Sequence, residues 1–276
     1  MKKNINPSLR FIQFTLYSFI IFCAAAVPVF SQDTQKMKKD TVAGKPLSMG
    51  KEGEDEQEIA HPFFTHMGMP DPVGSYSLRV PSTLTKIDET EVDGIKVAGK
   101  TQADFGFHFE TGLTKTIGLH IRNDRFLNNS HSEIMFQFAA IRSKDGMSGF
   151  SPIVEFEIPT HKGAKRINTL VGFSTAYVRP RFAFNQVIHY GPREDMVEGS
   201  AALVYKVTKG VFLVVEIFGE KFPNEEAVFS MLGGLKVSAG KYLTVGIGYR
   251  GPISRNKEFS SQYIFSPDVE WSSNRK

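Results

Sequence analysis

From Gly74 to Trp271 the chain keeps a two-residue period, and this constrains its fold more than any other feature. Phe105, Phe107 and Phe109 alternate with Asp104, Gly106, His108 and Glu110, and Ile117, Leu119 and Ile121 with Gly118, His120 and Arg122. Leu243, Val245, Ile247 and Tyr249 alternate with Thr244, Gly246, Gly248 and Arg250. Period two sorts residues onto the two faces of a strand, whereas on a helix it would smear the apolar ones around the circumference. Frequent Gly and β-branched residues inside the runs also disfavour helix. The pattern predicts about twelve strands, at 74–82, 103–110, 115–122, 133–142, 150–158, 168–177, 181–190, 198–207, 211–218, 228–237, 242–250 and 261–271. Their lengths approach the roughly 9–11 residues that cross a bilayer at a tilt.

The connections carry separate information. Links 83–102, 123–132, 159–167, 191–197, 219–227 and 251–260 read as long, and those between them as short. Alternating short and long links around an even strand number mark outer-membrane barrels, whose short turns lie on the periplasmic side. The expected fold is therefore all-β, an antiparallel up-and-down transmembrane β-barrel of about twelve strands over 73–276. A soluble secreted β-sandwich or barrel acting as a binding module would carry the same alternation with the Phe rows inside. The link pattern, strand length and 24 Phe favour the membrane version. Strands 6 and 7 alternate poorly, and Pro267 interrupts strand 12 by removing a ladder donor.

Upstream of the strands, Lys2, Lys3 and Arg10 precede the apolar stretch 14–26 and the small-residue site Ala24-Ala25-Ala26, a secretory signal pattern over 1–32. Its removal takes the single Cys, Cys23, with it and suits an oxidising compartment. The whole-chain charge is +4, and residues 1–32 hold three basic residues and no acid, so the remainder is nearly balanced. That balance argues against nucleic-acid binding. Residues 33–72 begin polar and acidic and end proline-punctuated, which predicts a flexible linker or plug segment able to enter the barrel from its periplasmic end.

In the membrane version the polar face of each strand looks into the lumen. The residues expected there are Asp104, His108, Glu110, His120, Arg122, Glu155, Glu157, Lys206, Glu216, Lys236, Arg250, Asp268 and Glu270, around a narrow polar lumen.

One short segment stands out: His61-Pro-Phe-Phe-Thr-His66-Met67-Gly-Met69-Pro-Asp-Pro72. Imidazoles and thioethers together suit Cu(I), which makes His61, His66, Met67 and Met69 candidate metal ligands of an envelope copper-binding protein. The same residues also suit space-filling in a packed plug. Gly246-Ile-Gly-Tyr-Arg-Gly251 matches the dinucleotide fingerprint in letters, yet Pro252 follows where that fold needs a helix, so it reads as a Gly-rich strand. The basic run 161–166 reads as a solvated loop. No nucleophile signature is present, and neither an enzyme nor a cofactor is expected.

The segments Phe63-Phe-Thr-His-Met-Gly68, Asp104-Phe-Gly-Phe-His-Phe-Glu110 and Gly118-Leu-His-Ile-Arg-Asn-Asp124 resemble the outer-membrane β-barrels of the "MetA-pathway of phenol degradation" type. The resemblance covers roughly residues 70–276 and is mainly one of barrel pattern. It implies a small barrel in the bacterial outer membrane that passes small compounds, hydrophobic ones included. Its partners would be outer-membrane lipid and a small-molecule solute, and the chain would act as a monomer.

Overall fold

The computed structural model describes residues 59–92, 95–123, 131–144, 147–160, 166–255 and 259–272. The signal peptide expected over 1–32, residues 33–58 and most of the basic run lie outside them. All regular structure among the described residues is strand: β1 (Ser75–Arg79), β2 (Ser82–Ile87), β3 (Thr90–Val92), β4 (Ile95–Val97), β5 (Lys100–Phe105), β6 (Phe107–Gly112), β7 (Ile117–Asn123), β8 (His131–Phe138), β9 (Ile141–Arg142), β10 (Gly149–Pro159), β11 (Asn168–Arg179), β12 (Phe182–Gly191), β13 (Met196–Thr208), β14 (Val211–Lys221), β15 (Val228–Ser238), β16 (Leu243–Pro252) and β17 (Ser261–Ser272).

Twelve antiparallel staves close into a barrel. The order runs β1, β6, β7, β8, β10 and onward in sequence to β17, which pairs back onto β1 through Tyr76↔Trp271 and Leu78↔Val269. β2 and β5 extend β1 and β6 past breaks at Pro81 and Gly106, which face each other through a Gly106 amide to Pro81 carbonyl hydrogen bond of 2.7 Å. Pro267 lies at the same level. Its carbonyl accepts from Val80, so its missing donor points at the gap where the neighbouring stave is already broken. The Gly-rich segment forms β16, as read from the sequence.

The links 113–116, 143–148, 180–181, 209–210 and 239–242 gather at one end, and the longest, 88–99, lies at the other. The link expected to be long after β12 is instead the four-residue turn 192–195, because both flanking strands run further than their polarity suggests. The alternation therefore marks the two ends without fixing the length of every link.

Side-chain exposure settles which face is which. Ile247, Tyr263, Val215, Leu213 and Met231 lie on the outside, all 42–60% exposed, while Arg79, Glu216, Lys236 and Asp268 on the inside are fully buried. A soluble barrel needs the opposite polarity, so the soluble alternative fails. Tyr76 stacks on Trp271 near one rim and Tyr249 meets Tyr263 edge to face near the other, each pair at 5.4 Å, the aromatic girdle positions of a membrane barrel.

The interior is not uniformly polar. Leu170, Ala176, Val178, Ala183, Val187, Val204, Phe212, Val214 and Leu232 face inward from β11 to β15 and are buried. This explains the weak alternation of strands 6 and 7: their inner face is apolar because something apolar packs on it. It also corrects the expectation of a polar lumen to one that is polar on one side and apolar on the other.

Candidate functional site

Most of that apolar face packs against residues 59–72, the chain just before β1, while Val187 packs with Met135 and Ile153. Ile59, Ala60, Phe63, Phe64 and Met69 join Ala176, Val178, Ala183, Val204, Phe212, Val214, Leu232 and Ile264 in one apolar cluster. Burying Phe63 and Phe64 contributes about 2–3 kcal/mol each. Phe63 lies in a slot floored by glycine: a Cβ at Gly234 would stand 2.5 Å from its ring, one at Gly246 2.7 Å and one at Gly248 3.4 Å. Gly68 passes so close to the wall that a Cβ there would meet the Thr175 carbonyl oxygen at 1.9 Å.

The polar side of the wall reads this segment through its backbone. The Glu216 carboxylate accepts the amides of Phe63 at 2.5 Å, Phe64 at 3.2 Å and Thr65 at 2.8 Å, and the Thr65 hydroxyl at 2.8 Å. Consecutive amides converging on one anion form a nest, here filled by a side chain of the barrel. The carbonyls are taken up by cations: Arg79 donates to Pro62 at 3.0 Å, and Lys236 donates to Pro62 at 2.9 Å and to Asp268 at 2.5 Å. Lys236 also stands 4.6 Å from the centre of the Phe63 ring. Further along, Asn185 accepts the Gly68 amide, Gln137 donates to the Met67 carbonyl and Arg142 to that of Pro70, at 3.0–3.1 Å. Among the described residues the one backbone bridge to the sheet is Val73↔Gly112, just past the segment's end.

A second focus surrounds Glu110. Its carboxylate is held by Arg79 and faced by Nδ1 of His61 at 3.4 Å, of His66 at 3.5 Å and of His120 at 3.4 Å. Burial alone would push His61 down, but the carboxylates of Glu270 and Glu110 reverse this and raise it to about 9. Burial pushes His66 down to about 3 with Arg122 adding to it, so His66 is neutral. Beyond the plug, Arg122 pairs with Glu133 at 2.5 Å, and His189 bridges Glu155 and Glu198 at 3.2 Å each.

The thirteen residues expected in the lumen all lie on inward rows. Glu216, Lys236, Asp268, Glu110 and Glu270 engage the plug or its neighbours, and His108 packs on the Phe64 ring at 5.9 Å. Glu157 accepts from Asn168 at 2.7 Å and Asp104 accepts from the Phe105 amide at 2.9 Å. Arg250 lies over Phe218 at 4.1 Å, and Lys206 is half-buried near the turn 209–210. Of the four candidate metal ligands, His61 and His66 meet at Glu110, whereas the Met69 sulfur turns to the Ser151 hydroxyl at 3.5 Å and Met67 offers its carbonyl to Gln137. Arg79, Gln137, Asn185 and Glu133 were missed. The alternation Tyr76-Ser-Leu-Arg79-Val80 would have placed Arg79 inside, but the short stretch before Pro81 gives little periodicity to read.

A closed antiparallel barrel with an apolar belt outside and buried charges inside defines a transmembrane β-barrel. No protein-family model matches the chain, and no curated protein matches it. Among solved structures it is similar to an outer membrane channel from Pseudomonas putida F1, with 9% identity over 74% of this chain and 98% of that one, at a TM-score of 0.52. It also matches the NanC porin, with 7% identity over 71% and 99% of the chains (TM-score 0.47). A third match is the outer membrane channel DcaP of Acinetobacter baumannii, with 11% identity over 76% and 100% (TM-score 0.37). At such identity the first likeness establishes the fold, that of bacterial outer-membrane barrels.

Proposed function

We propose that the chain is a monomeric outer-membrane channel for a small solute, with residues 59–72 as a plug that must shift before the lumen conducts. The observation that carries this reading is how the plug is held. It adds no strand to the sheet, the wall closes without it, and most of the hydrogen bonds that hold it run between wall side chains and plug backbone. Such a segment can leave without opening the barrel. The half-apolar lumen supports a solute with an apolar part, in line with the resemblance to the phenol-degradation type. The likeness to the Pseudomonas putida F1 outer membrane channel supports the same reading.

The test is conductance in planar bilayers for the whole mature chain and for a variant lacking residues 33–72. The mature chain should be closed or flicker briefly, and the variant should give stable ohmic steps. A folded variant that never conducts overturns the proposal.

A further inference from the structure

Four buried polar atoms around Glu110 lack a hydrogen bond: Nδ1 of His61, His66 and His120, and Oε2 of Glu110 itself. Buried polar groups are nearly always satisfied, so a converging set that is not calls for a physical cause.

His120 makes the point sharpest. The Gln137 amide nitrogen donates to the Met67 carbonyl at 3.0 Å and the Ser174 hydroxyl at 2.7 Å, which leaves only its oxygen to face His120 Nε2 at 3.1 Å. A carbonyl oxygen only accepts, so Nε2 carries a proton, which makes Nδ1 the ring nitrogen able to ligate an ion. That nitrogen faces Oε1 of Glu110, 3.4 Å away, the oxygen that Arg79 also holds. A proton or a metal cation between the two atoms satisfies both. His66 Nδ1 approaches the same oxygen at 3.5 Å, and the His66 and His120 rings stand edge to face at 5.0 Å. The ligand atoms of His66, Glu110 and His120 all lie within 4.8 Å of one another. A tetrahedral ion with bonds of about 2.0–2.1 Å has ligand–ligand edges of about 3.3 Å, close to these separations.

We propose that His66, Glu110 and His120 form a binding site for a zinc-class transition-metal ion that joins the plug to the barrel wall. Two imidazoles and one carboxylate suit Zn²⁺ rather than Ca²⁺ or Mg²⁺, which take oxygen ligands. Gln137 fixes the His120 ring and Arg79 holds the Glu110 carboxylate, the outer supports that metal ligands require. Arg122 acts against the ion. Its Nη1 lies 3.4 Å from His66 Nε2, so it must withdraw toward Glu133, which already holds its Nε at 2.5 Å. This set replaces the thioethers Met67 and Met69 with wall residues. The proposal does not rest on the channel reading, since it concerns binding to the folded chain.

The test uses the full mature chain folded in detergent, with Zn²⁺ retention after dialysis and the visible spectrum of bound Co²⁺ as readouts. Folding is checked by heat-modifiability on a gel. Wild type should retain one Zn²⁺ per chain and give the intense bands of tetrahedral Co²⁺. His66→Ala and His120→Ala should each lower affinity by at least about tenfold, a loss such as even supporting residues cause. His66 belongs to the plug, so its replacement leaves the wall intact. His131→Ala, at the separate rim cluster with Glu133 and Glu157, should change nothing, and Arg122→Ala should raise affinity. Folded wild type without Zn²⁺ retention or Co²⁺ bands overturns the proposal. So does retention unaffected by both His66→Ala and His120→Ala, or abolished by His131→Ala instead.

Discussion

Glu216, midway along β14, accepts the amide of Phe63 at 2.5 Å across 153 positions of sequence. The same carboxylate serves Phe64 and Thr65, so one side chain satisfies three successive donors of a segment with no sheet partners. In Glu216→Ala these buried amides lose their acceptor, at about 1–3 kcal/mol each unless water replaces it. A net loss of about 3 kcal/mol raises the population with the plug out by about 100-fold. The expected outcome is faster chymotrypsin cleavage at Phe63 or Phe64 and more frequent channel opening, with Glu216→Gln intermediate. Unchanged cleavage and conductance in Glu216→Ala would mean that the carboxylate does not hold the plug.

Phe63 and the glycines beneath it form a matched pair. A Cβ at Gly246 would stand 2.7 Å from the Phe63 ring and 2.9 Å from the Lys236 side chain, with no backbone among its nearest neighbours. Gly246→Ala should therefore loosen the plug and press on the Lys236 stem without meeting wall backbone. Phe63→Ala should loosen it through the lost burial and the cavity, by about 3–5 kcal/mol. The two effects should add only in part, because losing the ring relieves the contact with Phe63 and leaves only that with the Lys236 stem. A double-mutant cycle on chymotrypsin sensitivity checks this, with a coupling of at least about 1 kcal/mol expected.

The barrel was legible in the sequence because period two survives wherever one face meets lipid. The rows Phe105-Phe107-Phe109 and Leu243-Val245-Ile247 carried it, and the structure follows them nearly residue for residue. The plug's apolar contacts were not legible. Ala176, Val178 and Ala183 read as failures of alternation because their partners, in residues 59–72, are far away in sequence. Polarity along one strand records only what that strand touches, and here the inner face touches protein. Parity alone puts the thirteen polar positions on the inward rows. Arg79 lay in a stretch too short before Pro81 for parity to speak, and which of these side chains meet is set by stave order, which no single strand encodes.

Lys236 and Asp268 pair at 2.5 Å with both side chains fully buried. Ser266 donates to the same carboxylate at 2.6 Å. Lys236→Met removes one partner and strands a carboxylate, which costs about 3–5 kcal/mol. Replacing both, as Lys236→Met with Asp268→Asn, should restore most of the wall's stability. The plug should stay loosened in the double variant, since the Pro62 carbonyl has still lost its Lys236 donor. Urea unfolding in lipid vesicles, followed through the single Trp, reports the wall. Chymotrypsin cleavage reports the plug, and the two readouts should separate.

Val215 is the outward neighbour of Glu216 and is 42% exposed at the middle of its stave. If that face meets lipid, Val215→Arg places a charge near the bilayer midplane and destabilises the inserted barrel by about 2–4 kcal/mol. Phe138→Arg, at the rim near the short turns, should cost only about 0–1 kcal/mol, because the headgroup region tolerates charge. Both residues are similarly exposed, at 42% and 40%, so surface exposure alone predicts equal and small effects. The difference between the two variants in urea unfolding from vesicles therefore isolates depth in the membrane. A loss at Val215 that exceeds the loss at Phe138 by at least about 1 kcal/mol is expected, and equal losses would remove the bilayer from the account of this outer face.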